Sequence, residues 1–186
     1  MVTVFIFHGV LGHPQENWFD WLRQELEKLG CNVVVPRFPT LEGQTLENWS
    51  RVLDEHKELI NEETVFVCHS LGTPFALSVI EQNTVGSAFF VAGFTGTIGH
   101  EYDDNMKTIS QREFDWDKIK AHCKKFFLFH SDNDPYVAME KAEELAEHVG
   151  GELVVVKNAG HFNAAAGYTE FELLLEKIKG TIRFPS

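Results

Sequence analysis

Three residue types that together can carry out nucleophilic catalysis occur in this chain in the order serine, aspartate, histidine. Ser70 stands in the letters CHSLG, Asp132 and Asp134 stand in SDNDP, and His161 stands in AGHF. A serine hydroxyl is a weak nucleophile at neutral pH and needs an imidazole to take its proton. The imidazole in turn needs a carboxylate that fixes its tautomer and stabilises its charged form. If the fold brings these residues together, they can attack a carbonyl carbon and form an acyl-enzyme.

The elements that must position these residues are short apolar strands that alternate with amphipathic helices. Apolar runs rich in β-forming residues predict strands at 2–7, 32–35, 64–67, 87–92, 126–130 and 152–157. Periodic apolar positions predict helices at 18–29, 46–60, 71–81, 138–149 and 168–178. The alternation predicts an α/β fold, a three-layer α/β/α sandwich around a six-stranded parallel sheet.

The candidate residues come directly after four of these strands. The loop HGVLG at residues 8–12 follows the first strand, Ser70 the third, the two aspartates the fifth and His161 the sixth. Because a site in an open α/β sheet forms outside the carboxyl ends of the strands, we expect them at one edge. The backbone N–H groups of Val10 and of Leu71, which opens a helix, are the expected donors to the oxyanion of a tetrahedral intermediate.

The motifs CHSLG, DNDPYV and AGHF, with the stretch WDKIKAHC at 116–123, resemble those of α/β-hydrolases, which have the same chain order of serine, acid and histidine. The resemblance is closest to the small single-domain serine hydrolases named for a retinoblastoma-binding protein, and it covers nearly the whole chain. It implies that Ser70 is the nucleophile, His161 the base and Asp134 the acid. It also implies a minimal α/β-hydrolase fold with a small cap-like segment at about 94–118.

Alternatives remain open at several of these positions. Asp132 and Asp134 lie in one loop and either could reach the histidine, although the family pattern favours Asp134. Cys68 replaces the first glycine of the G-x-S-x-G nucleophile elbow. Its thiol could be a nucleophile, but a cysteine at this point of a strand is expected to be a packing residue. Ser70 could also be an ordinary helix cap, and His69 is expected to be a structural or pocket-wall residue.

The composition fits one α/β-hydrolase domain over residues 1–186. A net charge of −12, from 16 basic and 28 acidic residues, argues against nucleic acid or an anionic membrane surface as a partner. The three cysteines lack metal-ligand spacing and the nine histidines lack an HExxH pattern, so we expect neither a metal nor another cofactor. The odd number of cysteines and the short N-terminal apolar run favour a cytoplasmic protein.

We therefore expect a serine hydrolase that cleaves a small carboxylic ester, or less readily an amide, through an acyl-enzyme. Phe94, Phe114 and Trp116 are the expected apolar residues of its substrate pocket. The first alternative is a protein-binding module on a hydrolase scaffold, but the retinoblastoma-binding motif L-x-C-x-E does not occur in the sequence. The second is a nucleotide- or flavin-binding protein, and HGVLG matches neither G-x-G-x-x-G nor a Walker loop.

Overall fold

A parallel sheet of six strands forms the centre of the computed structural model, which describes residues 1–182. The strands are β1 (Thr3–Phe7), β2 (Asn32–Val34), β3 (Val65–His69), β4 (Ser87–Val91), β5 (Phe126–Ser131) and β6 (Glu152–Val156). They lie in the order β2-β1-β3-β4-β5-β6, and each neighbouring pair is parallel. The predicted fold class is confirmed, and residues 183–186 of the predicted domain lie outside the described residues.

The α-helices lie on both faces of the sheet. They are α1 (Phe19–Lys28), α2 (Leu46–Asp54), α3 (Gly72–Ile80), α4 (Asp103–Ser110), α5 (Trp116–His122), α6 (Met139–Val149) and α7 (Glu172–Thr181). Buried side chains of α1 and α7 pack on one face, and those of the helices from α2 to α6 pack on the other. The protein therefore has the three layers that the alternation of strands and helices predicts.

The central strands are apolar along their whole length because both of their faces are covered. In β1, Phe5 and Phe7 face one layer of helices, while Val4 and Ile6 face the other. In β3, the ring of Phe66 lies 5.7 Å from that of Phe5 and 5.2 Å from that of Phe7, with centroids as the reference points. This aromatic cluster makes a rigid base beneath the carboxyl ends of β1 and β3.

The predicted helix over 46–60 is two elements in the structure. Helix α2 ends at Asp54, and a short 3-10 helix follows at Lys57–Leu59. The N–H of His56 donates to the carbonyl of Leu53 at 2.8 Å and closes the turn between them. This turn lets the next apolar residues pack on the core before the chain enters β3, which a continuous helix would prevent.

The segment at about 94–118, predicted as an irregular loop, contains α4 and the first residues of α5. The carboxylate of Asp103 accepts hydrogen bonds from the N–H groups of Ile98, Gly99 and His100, at 3.1, 2.9 and 3.2 Å, and so fixes the loop that enters α4. Only Met106 and Ile109 supply large buried apolar side chains in α4. Its periodicity was therefore too weak for a helix to be predicted. The description of the segment as a cap stays a prediction.

The helices of residues 1–182 are all short, and none is long and apolar enough to cross a membrane. The same residues contain no group of three or more His, Cys, Asp or Glu side chains arranged to hold a metal ion. The cytoplasmic location inferred from the sequence stays a prediction.

Truncation of Phe66 tests the importance of the aromatic cluster. We expect Phe66→Ala to lower the free energy of unfolding by about 3–5 kcal/mol, because a large buried side chain is replaced by a cavity. Urea unfolding followed by tryptophan fluorescence measures this change. Leu173→Ala, at a position that is 49% exposed, is the control and should change stability by less than about 0.5 kcal/mol. Equal effects of the two substitutions would contradict the importance of the cluster.

Candidate active site

The change of direction in the strand order lies between β1 and β3. After β1 the chain crosses to β2 on one side, and after β3 it continues through β4 to β6 on the other side. The loops that leave such a pair of strands diverge, and a crevice opens between them at the carboxyl edge of the sheet. Gly9 and Val10 follow β1, and Ser70 follows β3, so the fold places these residues at the crevice.

Ser70 occupies a sharp turn between β3 and α3. Its φ of +53° is in the left-handed region, which costs a residue other than glycine on the order of 1–3 kcal/mol. The N–H of Ser70 donates to the carbonyl of Val91 at 2.9 Å, and its own carbonyl accepts from the N–H of Thr73 at 3.0 Å. The first residue before α3 is Leu71, and no side chain caps the helix. The serine hydroxyl is therefore not an ordinary helix cap.

Two glycines allow the backbone to approach this turn. A Cβ on Gly72 would lie 2.6 Å from the carbonyl oxygen of Phe7, at the end of β1. A Cβ on Gly9 would lie 2.9 Å from the Cβ of Ser70. Both distances are shorter than a van der Waals contact, so larger residues at these positions would push the loop after β1 away from the serine.

Cys68 stands where the G-x-S-x-G pattern has its first glycine. It is fully buried in β3, in register with Phe7 of β1 and Phe90 of β4. Burial raises the pKa of its thiol well above the usual value. Because the thiolate is the nucleophilic form of cysteine, the structure favours the packing role over the alternative of a thiol nucleophile.

His161 is paired with Asp134. The imidazole Nδ1 donates to Oδ2 of Asp134 at 2.8 Å, and the aspartate side chain is only 1% exposed. Oδ1 of Asp134 accepts from the N–H groups of Tyr136 and Val137 at 2.9 and 3.1 Å. Burial raises the pKa of Asp134, but the hydrogen bond and charge of His161 and the two backbone donors outweigh it, and the net pKa is lowered. Asp134 therefore stays ionised at neutral pH and can stabilise a charged imidazole.

Three consecutive side chains, of the last residue of β5 and the two residues after it, hold the loop that carries His161. Their oxygens accept hydrogen bonds from three consecutive backbone N–H groups of that loop. Asp132 Oδ1 accepts from the N–H of residue 158 at 2.8 Å, and Ser131 Oγ accepts from the N–H of residue 159 at 2.9 Å. Asn133 Oδ1 accepts from the N–H of residue 160 at 2.8 Å. The hydroxyl of Ser131 also donates to Asn133 Oδ1 at 2.7 Å. Asp132 thus positions the loop and makes no hydrogen bond to His161. We call the three residues 131–133 the loop clasp.

Sequence reasoning did not identify Ser131 and Asn133 as residues of the site. Their signal was present in the run of polar residues SDND directly after a buried strand. Such a run provides more hydrogen-bond acceptors than a single catalytic carboxylate does. The backbone N–H groups of a nearby glycine-containing loop are suitable donors to the additional acceptors.

His69 lines the same pocket as Ser70 and His161, whereas His8 is fully buried directly after β1. A carbonyl oxygen only accepts, so His69 Nε2, 2.8 Å from the carbonyl of His161, must carry the proton. His8 Nδ1 lies 2.8 Å from the carbonyl of Gly9, and its Nε2 accepts from the N–H of Phe38 at 3.0 Å. Burial lowers the pKa of His69 to about 3 and that of His8 to about 4. Both imidazoles are therefore weak bases that stay neutral at neutral pH, and this weak basicity fits structural roles better than that of the catalytic base.

Ser70 and His161 line one pocket of about 450 Å³, a volume typical of small-molecule sites. Among the described contacts the serine hydroxyl makes no hydrogen bond to the imidazole. Such bonds are often long without substrate and tighten when it binds. The pocket therefore contains the expected nucleophile and the expected base. The expected acid, Asp134, does not line the pocket but is hydrogen-bonded to His161.

The two expected oxyanion donors belong to the segments that follow β1 and β3. Val10 lines the pocket, and Leu71 follows the serine and is fully buried. Within residues 1–182, neither backbone N–H donates to a protein acceptor. Both are thus available for an oxyanion, and that role stays a proposal.

The structure does not bring the predicted substrate-binding residues Phe94 and Trp116 to this pocket. Phe94 is fully buried in the hydrophobic core and does not line the pocket. Trp116 lies in a separate surface groove with Phe114, and its ring stacks on His148 with centroids 4.3 Å apart. The sequence showed that these side chains were apolar and lay at about 94–118. It could not show that Phe94 joins the core or that Trp116 stacks on His148 of α6.

Known proteins resemble this chain in both sequence and structure. A family model described as serine hydrolase matches residues 4–179. YdeN of Bacillus subtilis (strain 168), whose name describes a hydrolase, is 27% identical over 177 residues, 93% of this chain and 92% of YdeN. The serine hydrolase RBBP9 of Rattus norvegicus is 25% identical over 166 residues, 89% of this chain and 86% of that protein. The crystal structure of the B. subtilis ydeN gene product matches with a TM-score of 0.90 at 26% identity, over 97% of this chain and 98% of that chain.

The loop clasp predicts an effect of Asn133 on the reactivity of the serine. Asn133→Ala removes the acceptor for the loop that carries His161, and we expect the rate at which Ser70 reacts with a fluorophosphonate to fall about tenfold to a hundredfold. Asn133→Asp keeps an acceptor at the same place and should retain most of the rate. If the alanine variant reacts like the wild-type protein, the clasp does not position His161.

The lowered pKa of His8 predicts a loss of stability in mild acid. The unfolded chain takes up the proton below pH about 6.5, the folded protein only near pH 4, so folding stability falls as pH decreases between these values. The pKa difference corresponds to on the order of 3 kcal/mol at the acid end of this range. Urea unfolding at several pH values measures the slope, which should be smaller in His8→Gln. An equal slope in wild type and variant would refute the assignment of His8 as a buried neutral group.

Proposed function

The chain belongs to the serine hydrolase family, and we propose that it cleaves a small carboxylic ester through an acyl-enzyme, with Ser70, His161 and Asp134 as its catalytic triad. The family match and the two relatives confirm the resemblance inferred from the sequence. The choice of an ester, the roles of the three residues and a small-molecule partner are our proposals.

The observation that carries the proposal is the hydrogen bond between His161 Nδ1 and Asp134 Oδ2, in the pocket that also contains Ser70. With Nδ1 donating to the carboxylate, the neutral imidazole has its lone pair on Nε2. A base of this tautomer, oriented by a buried ionised carboxylate beside a serine on a strained turn, is the arrangement that acyl transfer requires.

The proposed reaction has two half-reactions. In the first, Ser70 Oγ attacks the ester carbonyl while His161 Nε2 takes its proton, and the imidazolium then gives that proton to the departing alcohol. In the second, His161 takes a proton from water as the water attacks the acyl-enzyme, and its return to Ser70 releases the carboxylic acid. The N–H groups of Val10 and Leu71 are the proposed donors to the oxyanion in both. The chemistry needs no group beyond these residues and water.

An activity-based probe tests the nucleophile directly. We expect a fluorophosphonate to label the wild-type protein at Ser70, with no labelling of Ser70→Ala and slow labelling of His161→Gln. Hydrolysis of short-chain p-nitrophenyl esters should fall by a factor of about 1,000 or more in Ser70→Ala, because the serine and histidine act as a unit. Mass spectrometry of the digested adduct identifies the labelled residue.

The alternative, a protein-binding module, predicts neither labelling by the probe nor cleavage of the esters. If folded wild-type protein neither accepts the probe nor cleaves the esters faster than Ser70→Ala, the scaffold does not act as a hydrolase. Labelling at a residue other than Ser70 would refute the assignment of the nucleophile but not of the activity.

A further inference from the structure

The loop that carries His161 has a strained backbone. The φ angles of Asn158, Gly160 and Phe162 are +53°, +54° and +49°, so every second residue around the base is in the left-handed region. Two of the three are not glycine, and such a backbone persists only where the surrounding structure leaves it no alternative. The loop clasp binds the N–H groups before His161, but the buried carbonyl groups at and after His161 need other partners.

Two buried side chains bind the backbone carbonyls of the base and of the residue after it. His69 Nε2 donates to the carbonyl of His161 at 2.8 Å, and the indole Nε1 of Trp18 donates to the carbonyl of Phe162 at 3.0 Å. Trp18 is fully buried and His69 is only 4% exposed, so water has little access to either hydrogen bond. The clasp and this pair of side chains therefore fix both N–H groups and carbonyl groups of the loop.

His69 also connects the base to the nucleophile. It is the last residue of β3 and directly precedes Ser70 in the chain. Its hydrogen bond therefore joins the residue next to the nucleophile to the backbone of the base, and the ring centroids of His69 and His161 lie 4.8 Å apart. Because burial lowers the pKa of His69 to about 3, the ring stays neutral in the pH range of an esterase assay. Its single ring proton is then on Nε2, where the carbonyl accepts it.

We propose that His69 is a positioning residue, which together with Trp18 holds the imidazole of His161 at the distance from Ser70 that proton transfer requires. The proposal rests on the proposed ester hydrolysis and deepens the account of its site. His69 takes no proton from the serine or the substrate and acts through the backbone of His161. Asp134 sets the tautomer and orientation of the imidazole, whereas His69 sets its place. A displacement of about 1 Å between such groups lowers a rate by about a hundredfold.

Three substitutions of His69 test the proposal. His69→Phe keeps an aromatic ring but removes the donor, and we expect the rate constant for the reaction of Ser70 with a fluorophosphonate to fall about tenfold to a hundredfold. His69→Gln places an amide N–H as many bonds from the backbone as Nε2 and should restore most of the rate. His69→Asn carries the same amide one carbon closer to the backbone, where it does not reach the carbonyl, and should be as slow as His69→Phe. Its smaller side chain makes it the test variant if circular dichroism shows that His69→Phe does not fold.

The matched control is His122→Phe. His122 Nδ1 donates to the carbonyl of Ile80 at 2.8 Å, so this substitution also removes a histidine that binds a backbone carbonyl, but at a position that does not line the pocket. Its rate constant should equal that of the wild-type protein. A wild-type rate constant in folded His69→Phe or His69→Asn would overturn the proposal, and so would an equal fall in His122→Phe.

A double-mutant cycle shows whether His69 acts through the base. In His161→Gln the base is absent, so adding His69→Phe or His69→Asn should lower the remaining rate by less than about twofold. If His69 instead shapes the turn at Ser70 without regard to the base, the rate falls by the same factor in both backgrounds. That result would overturn the proposal, because a purely structural role predicts it.

An NMR measurement distinguishes failure of this proposal from failure of the proposed hydrolysis. We expect the proton between His161 Nδ1 and Asp134 to give a downfield resonance, identified by its absence in His161→Gln. It should shift or broaden in His69→Asn and keep its wild-type position in His69→Gln and His122→Phe. If the wild-type protein does not react with the probe, the hydrolase proposal fails, and such a shift still supports the role of His69. An unchanged resonance in His69→Asn overturns that role, and labelling of the wild-type protein then leaves the hydrolase proposal intact.

Discussion

The contact between the loops after β5 and β6 is the constraint on which the rest of the site depends. A histidine can act as a base only if its tautomer and orientation are fixed, and both are set here by Asp134 and by the backbone path of the loop that carries His161. The loop clasp fixes that path with acceptors from three consecutive side chains. The pairing of β5 with β6 up to the last residues of both strands brings the two loops within reach of each other.

The strained turn at Ser70 is the second requirement, and the hydrophobic core provides it. A left-handed serine persists only where the surrounding structure leaves it no alternative. Here β3 before the turn is fully buried, most of α3 after it is buried, and the aromatic residues of β1 and β3 pack beneath it. Core packing and the geometry of the nucleophile are therefore linked. For this reason, replacing Phe66 or Gly72 affects both the folding stability of the protein and the reactivity of Ser70.

The charges around the site are set by burial and by pairing. The buried His8 and His69 are neutral and add no charge to the site, and Asp134 is ionised but paired with His161. Glu16 and Glu101 line the pocket, and burial raises the pKa of Glu16 against the opposing charges of His13 and His161.

The sequence by itself determined the strands, their alternation with helices and the position of Ser70, Asp134 and His161 after particular strands, because hydrophobic periodicity is local and parallel strands bring their carboxyl ends to one edge. It could not decide between Asp132 and Asp134, reveal the helix at Asp103–Ser110, or show that Phe94 and Trp116 point away from the pocket while Glu16 lines it. These features depend on contacts between side chains that are distant along the chain. Asp134 and His161 are such a pair, and only the packing of the folded chain determines which distant groups meet.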